Sequence, residues 1–497
     1  MQDKRYILSF DQGTTSSRAL LFDAEARLCG MAQRELPQIY PQEGWVEHDP
    51  EAIWRDTRDV GREVLRTAGV QASEVAAIGI ANQRETTLLW DRQTGTPLYH
   101  AIVWQDRRTA DYCAALRGDG REEIVRERAG LLLDPYFSAS KLKWLLDNVP
   151  DARGRAKRGE LAFGTIDSWL IWKLTGGAAH LTDVSNASRT SLFNLAHRKW
   201  DDQLLYLFGI PRQLLPGLRD CQGDFGVCDA AHFGAAIPIT GVAGDQQAAT
   251  VGQACFQPGM LKSTYGTGCF AMMHTGDKAV ASQHRLLSTI AYQQAGSPSY
   301  ALEGSIFMAG ATVQWLRDQA RFIGHAEESA GLAAAAAPDS QVYLVPGFAG
   351  LGAPYWDPHA RGAILGMTRD TGIAEIVRAG LESVAYQTRD LLQAMAQDAG
   401  TLPDRLRVDG GMSANDWAMQ FLADMTGLVV ERPEIIETTA LGAAYLAGLE
   451  VGLYPSLDML ADNWRCERRF VPQMSADQRD SKYRGWKAAV ARVLTDG

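Results

Sequence analysis

The stretch Asp11-Gln-Gly-Thr-Thr-Ser-Ser-Arg18 puts a carboxylate, a glycine, four hydroxyls and a cation into eight consecutive residues. Glycine lets backbone come close to a ligand, and the amides and hydroxyls of Thr14, Thr15 and Ser16 suit phosphate oxygens. Arg18 adds positive charge. Asp11 suits a hydrated Mg²⁺, a hard ion that prefers oxygen ligands. The competing reading is a plain Gly/Thr hairpin turn. No G-x-x-x-x-G-K-[ST] run occurs, so this is not a P-loop. Roughly 250 residues later, Ser263-Thr-Tyr-Gly-Thr-Gly268 offers the same chemistry again. Two such turns could hold a polyphosphate from both sides.

Other polar groups follow apolar runs. Gly244-Asp245-Gln246-Gln247 supplies a carboxylate and two amides, and Asp245 could act as general base for a hydroxyl nucleophile. It could equally be a helix N-cap. Arg84-Glu85 pairs a donor with an acceptor, which suits vicinal hydroxyls, or else forms a surface ion pair of little consequence. Asp134-Pro-Tyr136 could add a phenol, while Trp104 and Phe270 could wall a small carbon skeleton or simply belong to the core. In Asp409-Gly-Gly-Met-Ser-Ala-Asn415, paired glycines ahead of a helix leave room for a flat ring against backbone, or make an ordinary strand-to-helix turn.

These groups need rigid elements to hold them. Residues 6–10, 18–22 and 28–36 read as strands, and 50–65 as a helix with Ile53, Thr57, Val60 and Val64 on one face. Short buried strands follow at 75–81 and 101–103. The pattern returns later: a strand at 236–242, strand–turn–strand over 260–273, a helix at 375–395 striped with Val377, Leu381, Val384, Leu391 and Met395, and a strand at 406–408. The alanine run 333–337 reads as a helix piece or loop. The halves look alike, with a boundary near 253, and each reads as a mixed sheet flanked by helices. This is an α/β chain whose cleft lies at strand ends.

Composition narrows the function classes. The 497 residues are 46% apolar and 22% charged, enough to bury large cores, and suggest two to four domains. A net charge of −10 argues against nucleic acid or anionic membrane as general partners. The N-terminus lacks the apolar stretch of a signal peptide, and no run is long enough for a membrane span. Seven scattered cysteines without a C-x-x-C pair fit a reducing cytoplasm rather than a disulfide frame or zinc site.

Taken in order, the 11–18 turn, Asn82-Gln-Arg-Glu-Thr-Thr87, Asp134-Pro-Tyr-Phe-Ser138, Ala243-Gly-Asp-Gln-Gln247, Thr264-Tyr-Gly-Thr-Gly-Cys-Phe270, Gly350-Leu-Gly-Ala-Pro-Tyr-Trp-Asp-Pro358, Asp409-Gly-Gly and Thr439-Ala-Leu-Gly-Ala-Ala-Tyr-Leu446 resemble the glycerol kinases over nearly the whole chain. The resemblance implies two actin-like (ribonuclease H-like) lobes, 1–253 and 254–497, closing on ATP. It implies that Thr14, Thr15, Ser16, Arg18, Thr267, Gly310, Gln314, Gly411 and Asn415 bind nucleotide. Arg84, Glu85, Tyr136, Gln246, Trp104 and Phe270 would hold glycerol, Asp245 would be the base, and Asp11 and Asp245 would face Mg²⁺. The product would be sn-glycerol 3-phosphate, the first step of glycerol catabolism. A homodimer or homotetramer is the implied assembly, with no nucleic-acid partner. Rival readings are a kinase for another polyol or ketose, and an ATP-driven conformational switch.

Two departures bear on regulation. Some bacterial members bind fructose 1,6-bisphosphate through a Gly-rich loop carrying a basic residue. The matching stretch, Ala230-Ala-His-Phe-Gly-Ala-Ala236, has no Lys or Arg, so that inhibition is not expected. Some members also dock a sugar-transport regulator partly through a carboxylate where Gln478 stands here, so that contact is expected to be weak or absent.

Overall fold

A computed structural model of the chain describes residues 4–357 and 359–495; Pro358, which closes the 350–358 motif, and residues 1–3 at the start of the chain lie outside them. In the first half, β1 (Tyr6–Gln12), β2 (Ser16–Phe22) and β3 (Leu28–Glu35) form an antiparallel meander. Helix α1 (Pro50–Ala68) starts on the side chain of Asp49, which accepts from the Glu51 amide at 2.9 Å, and ends at Gly69 in the left-handed region. Its buried stripe includes the four expected residues, Ile53, Thr57, Val60 and Val64. Strand β4 (Val75–Asn82) lies parallel to β1. Helix α2 spans Ser138–Asn148. Strands β5 (Val227–Cys228) and β6 (Ile237–Gly244) then complete a six-stranded sheet in the order β5-β6-β4-β1-β2-β3, and α3 (Asp245–Gly252) follows β6 directly.

The second half repeats the plan. It contains β7 (Leu261–Tyr265), β8 (Cys269–Gly276), β9 (Leu287–Gln294), β10 (Ser297–Ile306), α4 (Gly310–Asp318), α5 (Ile373–Ala399), β11 (Arg405–Asp409), α6 (Asp416–Thr426), β12 (Val429–Pro433), α7 (Thr438–Glu450) and β13 (Cys466–Phe470). Its seven strands run β9-β10-β8-β7-β11-β12-β13. The inner order is the same in both sheets: a hairpin, a third strand on its outer side, and two parallel strands on its inner side. The alanine run falls at the end of a helix spanning Glu328–Ala335.

The sheets divide near residue 253, but the packing does not. Helix α7 belongs to the second half by sequence, yet its Ala443 and Ala447 backbone lies against Gly79 of β4 and Gly241 of β6. It also crosses α3 at a glycine pair. A Cβ on Gly442 would stand 1.8 Å from the Ala248 carbonyl oxygen, and one on Gly252 would stand 2.0 Å from that of Thr438. Side chains are excluded there, so the backbones touch, and the crossing joins the two halves. A Gly→Ala change in an exposed helix stabilises by about 1 kcal/mol. Here Gly442→Ala is expected to do the reverse, by about 1–3 kcal/mol or more from overpacking. Thermal melting checks this: a variant that melts at or above the parent contradicts the crossing.

Candidate active site

The functional turns sit at the ends of the central strands of both sheets. In the first, Asp11 pairs across the hairpin with Arg18, so it stands on strand rather than in the turn, which narrows to residues 13–15. The turn closes through Gly13 N–H to Ser16 O at 2.9 Å, and the Gln83 side chain donates to Gly13 O at 3.0 Å. In the second, residues 266–268 rest on the start of α4: the Gly310 amide donates to Gly266 O at 2.9 Å and the Ala311 amide to Thr267 O at 3.0 Å. Gly310 is required there because a Cβ would meet Gly266 O at 2.6 Å. Gln314 lies one turn further along α4 and is exposed. Gly410, at φ +84°, lies against the Tyr265 backbone, which puts Gly411 beside the same turn. A Cβ added to Gly411 meets nothing within 4 Å, and at Gly13 and Gly266 the nearest atom is at 3.5 and 3.9 Å. All three turns thus present bare backbone to open space. Asn415 is committed locally: it caps α6 through Ala418 N–H at 3.0 Å and donates to Ser329 Oγ at 3.1 Å.

A line of aromatic contacts ties the two turns to one cleft. Trp104 Nε1 donates to Thr14 Oγ1 at 2.9 Å. Its ring meets Tyr136 edge-on at 5.5 Å and Phe270 at 6.0 Å. Trp104 and Tyr136 come from the first half and Phe270 from the second, so these half-buried rings pack together across the two halves beside the first turn.

Asp245 is the first residue of α3; Gly244 is the N-cap and makes no side-chain cap. The Asp245 carboxylate keeps 28% of its surface exposed and lies 3.2 Å from Arg84 Nε. Burial pushes its carboxyl up from the ordinary value, against the pull of Arg84 and Lys262. Asp11 is pushed up to about 6 by burial, with Glu437 and Asp245 adding to the effect and Arg18 opposing it. Both carboxyls are raised by loss of hydration in spite of these nearby cations, and their oxygens suit a hard cation that would favour the charged forms. Among the described residues no three His, Cys, Asp or Glu side chains form a metal cage, so a cation at Asp11 would be completed by water and phosphate oxygens.

Arg84 and Glu85 are fully buried, not a surface pair. They belong to a four-charge network that motif reading did not find. Glu303, on β10 of the second half, takes Arg84 in bidentate fashion at 2.5 and 3.1 Å and accepts from Arg189 at 2.8 Å. Arg189 also donates to Glu85 at 2.8 Å. Arg84 Nη2 reaches the Tyr136 phenol at 3.3 Å. Glu85 holds φ +61°, uncommon for a residue with a side chain, and its carbonyl accepts from Thr87 and Ser138 hydroxyls at 2.9 and 3.0 Å. Two further partners also lay outside the motifs. Lys262 Nζ donates to Gln246 Oε1 at 2.5 Å and Thr264 Oγ1 at 2.9 Å. Glu437 pairs with Arg18 at 2.5 Å, so the first turn's cation is anchored from the other half.

The 230–236 loop is not free of cations, as its own residues suggested. Arg62 and Arg66 of α1 line a hollow of about 430 Å³ beside it, and Arg62 donates to the carbonyls of His232 and Ala231 at 2.7 and 3.2 Å. Gln478 closes a capping box with Ser475 at the start of the helix Ala476–Val490.

The family profile for the N-terminal domain of the FGGY carbohydrate kinases matches residues 6–252, and that for the C-terminal domain matches residues 261–451. A glycerol kinase of Alcanivorax borkumensis is 62% identical over 488 residues, 98% of each chain. One of Ectopseudomonas mendocina is 60% identical over 493 residues, 99% of this chain and 100% of its own. The crystal structure of Plasmodium falciparum glycerol kinase with ADP superposes with a TM-score of 0.92 at 37% identity, covering 100% of this chain and 99% of that one. A xylulose kinase of Lactobacillus acidophilus shares the fold at TM-score 0.86 with 20% identity, covering 98% of this chain and 97% of its own.

Proposed function

The chain belongs to the FGGY family of carbohydrate kinases, and from that membership we propose how its residues divide the work. The activity is ATP-dependent phosphorylation of glycerol, supported by full-length agreement with glycerol kinases. The observation that carries the assignment of roles is the partly exposed Asp245 carboxylate, held by Arg84 and close enough to Asp11 of the first half and Lys262 of the second to interact with both. Asp245 accepts the proton of a terminal hydroxyl as that oxygen attacks the γ-phosphorus and ADP leaves. Arg84 keeps the carboxylate oriented. Glu85, Tyr136, Arg84 and Gln246 hold the polyol hydroxyls, and Trp104 and Phe270 wall its carbons. The amides and hydroxyls at Thr14, Thr15, Ser16 and Thr267, with Arg18, receive the phosphates, while Gly310, Gln314, Gly411 and Asn415 border the nucleoside. Mg²⁺, facing Asp11 and Asp245, would neutralise charge on the transferred group. Closure of the lobes, 1–253 and 254–497, keeps out water, which would otherwise take the phosphoryl group.

A cytoplasmic location is part of the same proposal. The seven cysteines are unpaired, and among the described residues no helix is long and apolar enough to cross a membrane. A homodimer or homotetramer is the assembly proposed. Inhibition by fructose 1,6-bisphosphate is proposed to be absent, a reading supported by the engagement of Arg62 with loop carbonyls. The sugar-transport regulator contact is proposed to be weak or absent, because Gln478 supplies no carboxylate and is used as a cap.

Two measurements follow. With glycerol, dihydroxyacetone, erythritol and xylulose as acceptors, kcat/KM is expected to be highest for glycerol; a higher value for xylulose contradicts the pocket assignment. The rate is also expected to show an acid limb. Because the Asp245 carboxyl lies above 3.8, its base form is complete above its raised value and is lost as pH falls through it. A kcat/KM–pH profile, which reports the free enzyme, that stays flat down to the ordinary carboxylate value contradicts this.

A further inference from the structure

Lys141, on α2, is among the largest fully buried side chains of the protein. Among the described residues no carboxylate lies within ion-pair distance of it. Its ammonium instead donates to three consecutive backbone carbonyls, Pro135 at 2.8 Å, Tyr136 at 2.6 Å and Phe137 at 2.8 Å. All three of its N–H donors are therefore spent on the loop that leads into its own helix. A buried cation without a counter-ion is costly unless dipoles satisfy it fully. This one persists because the loop is folded around it.

That loop serves the pocket in two ways. It carries Tyr136, whose phenol meets Arg84 and whose ring meets Trp104. It also delivers Ser138, whose hydroxyl holds the carbonyl of Glu85 at 3.0 Å in its left-handed conformation. At its other end Asp134 accepts from the Tyr136 amide at 2.9 Å and from Arg107 at 2.8 Å. Without the ammonium, three carbonyls would point at one another and the segment between Asp134 and Ser138 would lose its common anchor.

We propose that Lys141 is a positioning residue of the polyol pocket: by gathering the carbonyls of 135–137 it sets both the Tyr136 phenol and the Glu85 carboxylate, and so governs affinity for the acceptor rather than for the nucleotide. The inference rests on the assignment of Tyr136 and Glu85 to the glycerol pocket. Its charge state supplies a handle. Burial pushes the ammonium down to about 8, while Glu85 at the strand end, Asp106 after the 101–102 strand, Cys113 of the helix Ala110–Gly118 and Asp134 of the loop itself hold it up. The ammonium is complete below that value. Above it one of the three donors is lost, so the KM for glycerol should rise with pH while the KM for ATP does not.

Lys141→Gln keeps a two-donor amide but cannot titrate. It is expected to raise the KM for glycerol about tenfold near neutral pH, the scale of one charge-assisted hydrogen bond. The KM for ATP and kcat should stay within about twofold of the parent. The variant's KM for glycerol should be flat from about pH 7 to 9.5, while the parent's climbs to meet it. Burial also lowers Lys262, so an alkaline rise that persists in Lys141→Gln belongs there and overturns the proposal. So does an unchanged KM for glycerol in a folded variant, since a purely structural lysine would lower melting temperature and active fraction alone. If Lys141→Gln does not fold, the parent's two KM profiles decide, and a flat glycerol profile overturns the proposal. Tyr136→Phe tests the pocket separately: it should raise the KM for glycerol and keep the parent's alkaline rise. An unchanged KM in Tyr136→Phe would remove Tyr136 from the pocket instead.

Discussion

Asp245→Asn is expected to lower kcat by about a thousandfold, the middle of the range that a positioned general base contributes. The fold should tolerate it. Asp245 is not the N-cap of α3, its carboxylate is partly exposed, and among the described residues its bonds run to the neighbouring Gln246 amide, at 2.7 Å, and to Arg84. Asparagine keeps the shape and the hydrogen-bond acceptor but cannot take a proton. The KM values for ATP and glycerol should therefore move only a few-fold, and the melting temperature hardly at all. Steady-state kinetics beside a thermal melt separate these effects. A variant that turns over at near-normal rate removes Asp245 from the base role.

Glu303→Gln has the second large effect, and for a different reason. Glu303 is fully buried and is the acceptor shared by Arg84 and Arg189. Removing its charge leaves two guanidinium groups facing each other in a dry interior, with only Glu85 and Asp245 nearby. Breaking a buried pair in this way costs about 3–5 kcal/mol. Arg84 would lose the group that aims it at Asp245, so kcat/KM for glycerol should fall about a hundredfold together with the melting temperature. Arg189→Met in the same chain should recover part of the lost stability, because it removes one of the two uncompensated charges. Additive losses in the double variant would show that the network is not a unit.

Glu303 also shows where sequence reading stops. The strands and phosphate-type turns were legible because they are local: a buried apolar run, a glycine, then hydroxyls. The repeat of that pattern at 11–18 and 263–268 revealed the two-lobed plan, and β1–β2 and β7–β8 occupy equivalent places in their sheets. Arg84, Tyr136, Trp104, Phe270 and Asp245 were named from motifs, and the structure brings them into one chain of contacts. Glu303, Arg189 and Glu437 were not named, since each acts through a partner far away in the chain; Lys141 and Lys262 were not named either, although part of what they bind is local, because a lysine beside a turn reads as a solvated charge. The available signal was a lone ionisable residue in an apolar run, as in Ala301-Leu-Glu-Gly-Ser-Ile306, where burial demands a partner. That signal says a partner exists without saying which. Helix α7 was hidden for another reason. It is buried on nearly every side, so it shows no stripe, and its glycines and alanines fit the backbone of the other half rather than a side-chain core.

The most direct measurement follows ADP release by the purified protein with ATP and Mg²⁺, before and after glycerol is added, and identifies the phosphorylated product by ³¹P NMR. The account predicts little ADP without glycerol, rapid release with it, and phosphate on a terminal carbon of glycerol in equal amount. ADP and free phosphate appearing at the same rate whether or not glycerol is present would contradict it.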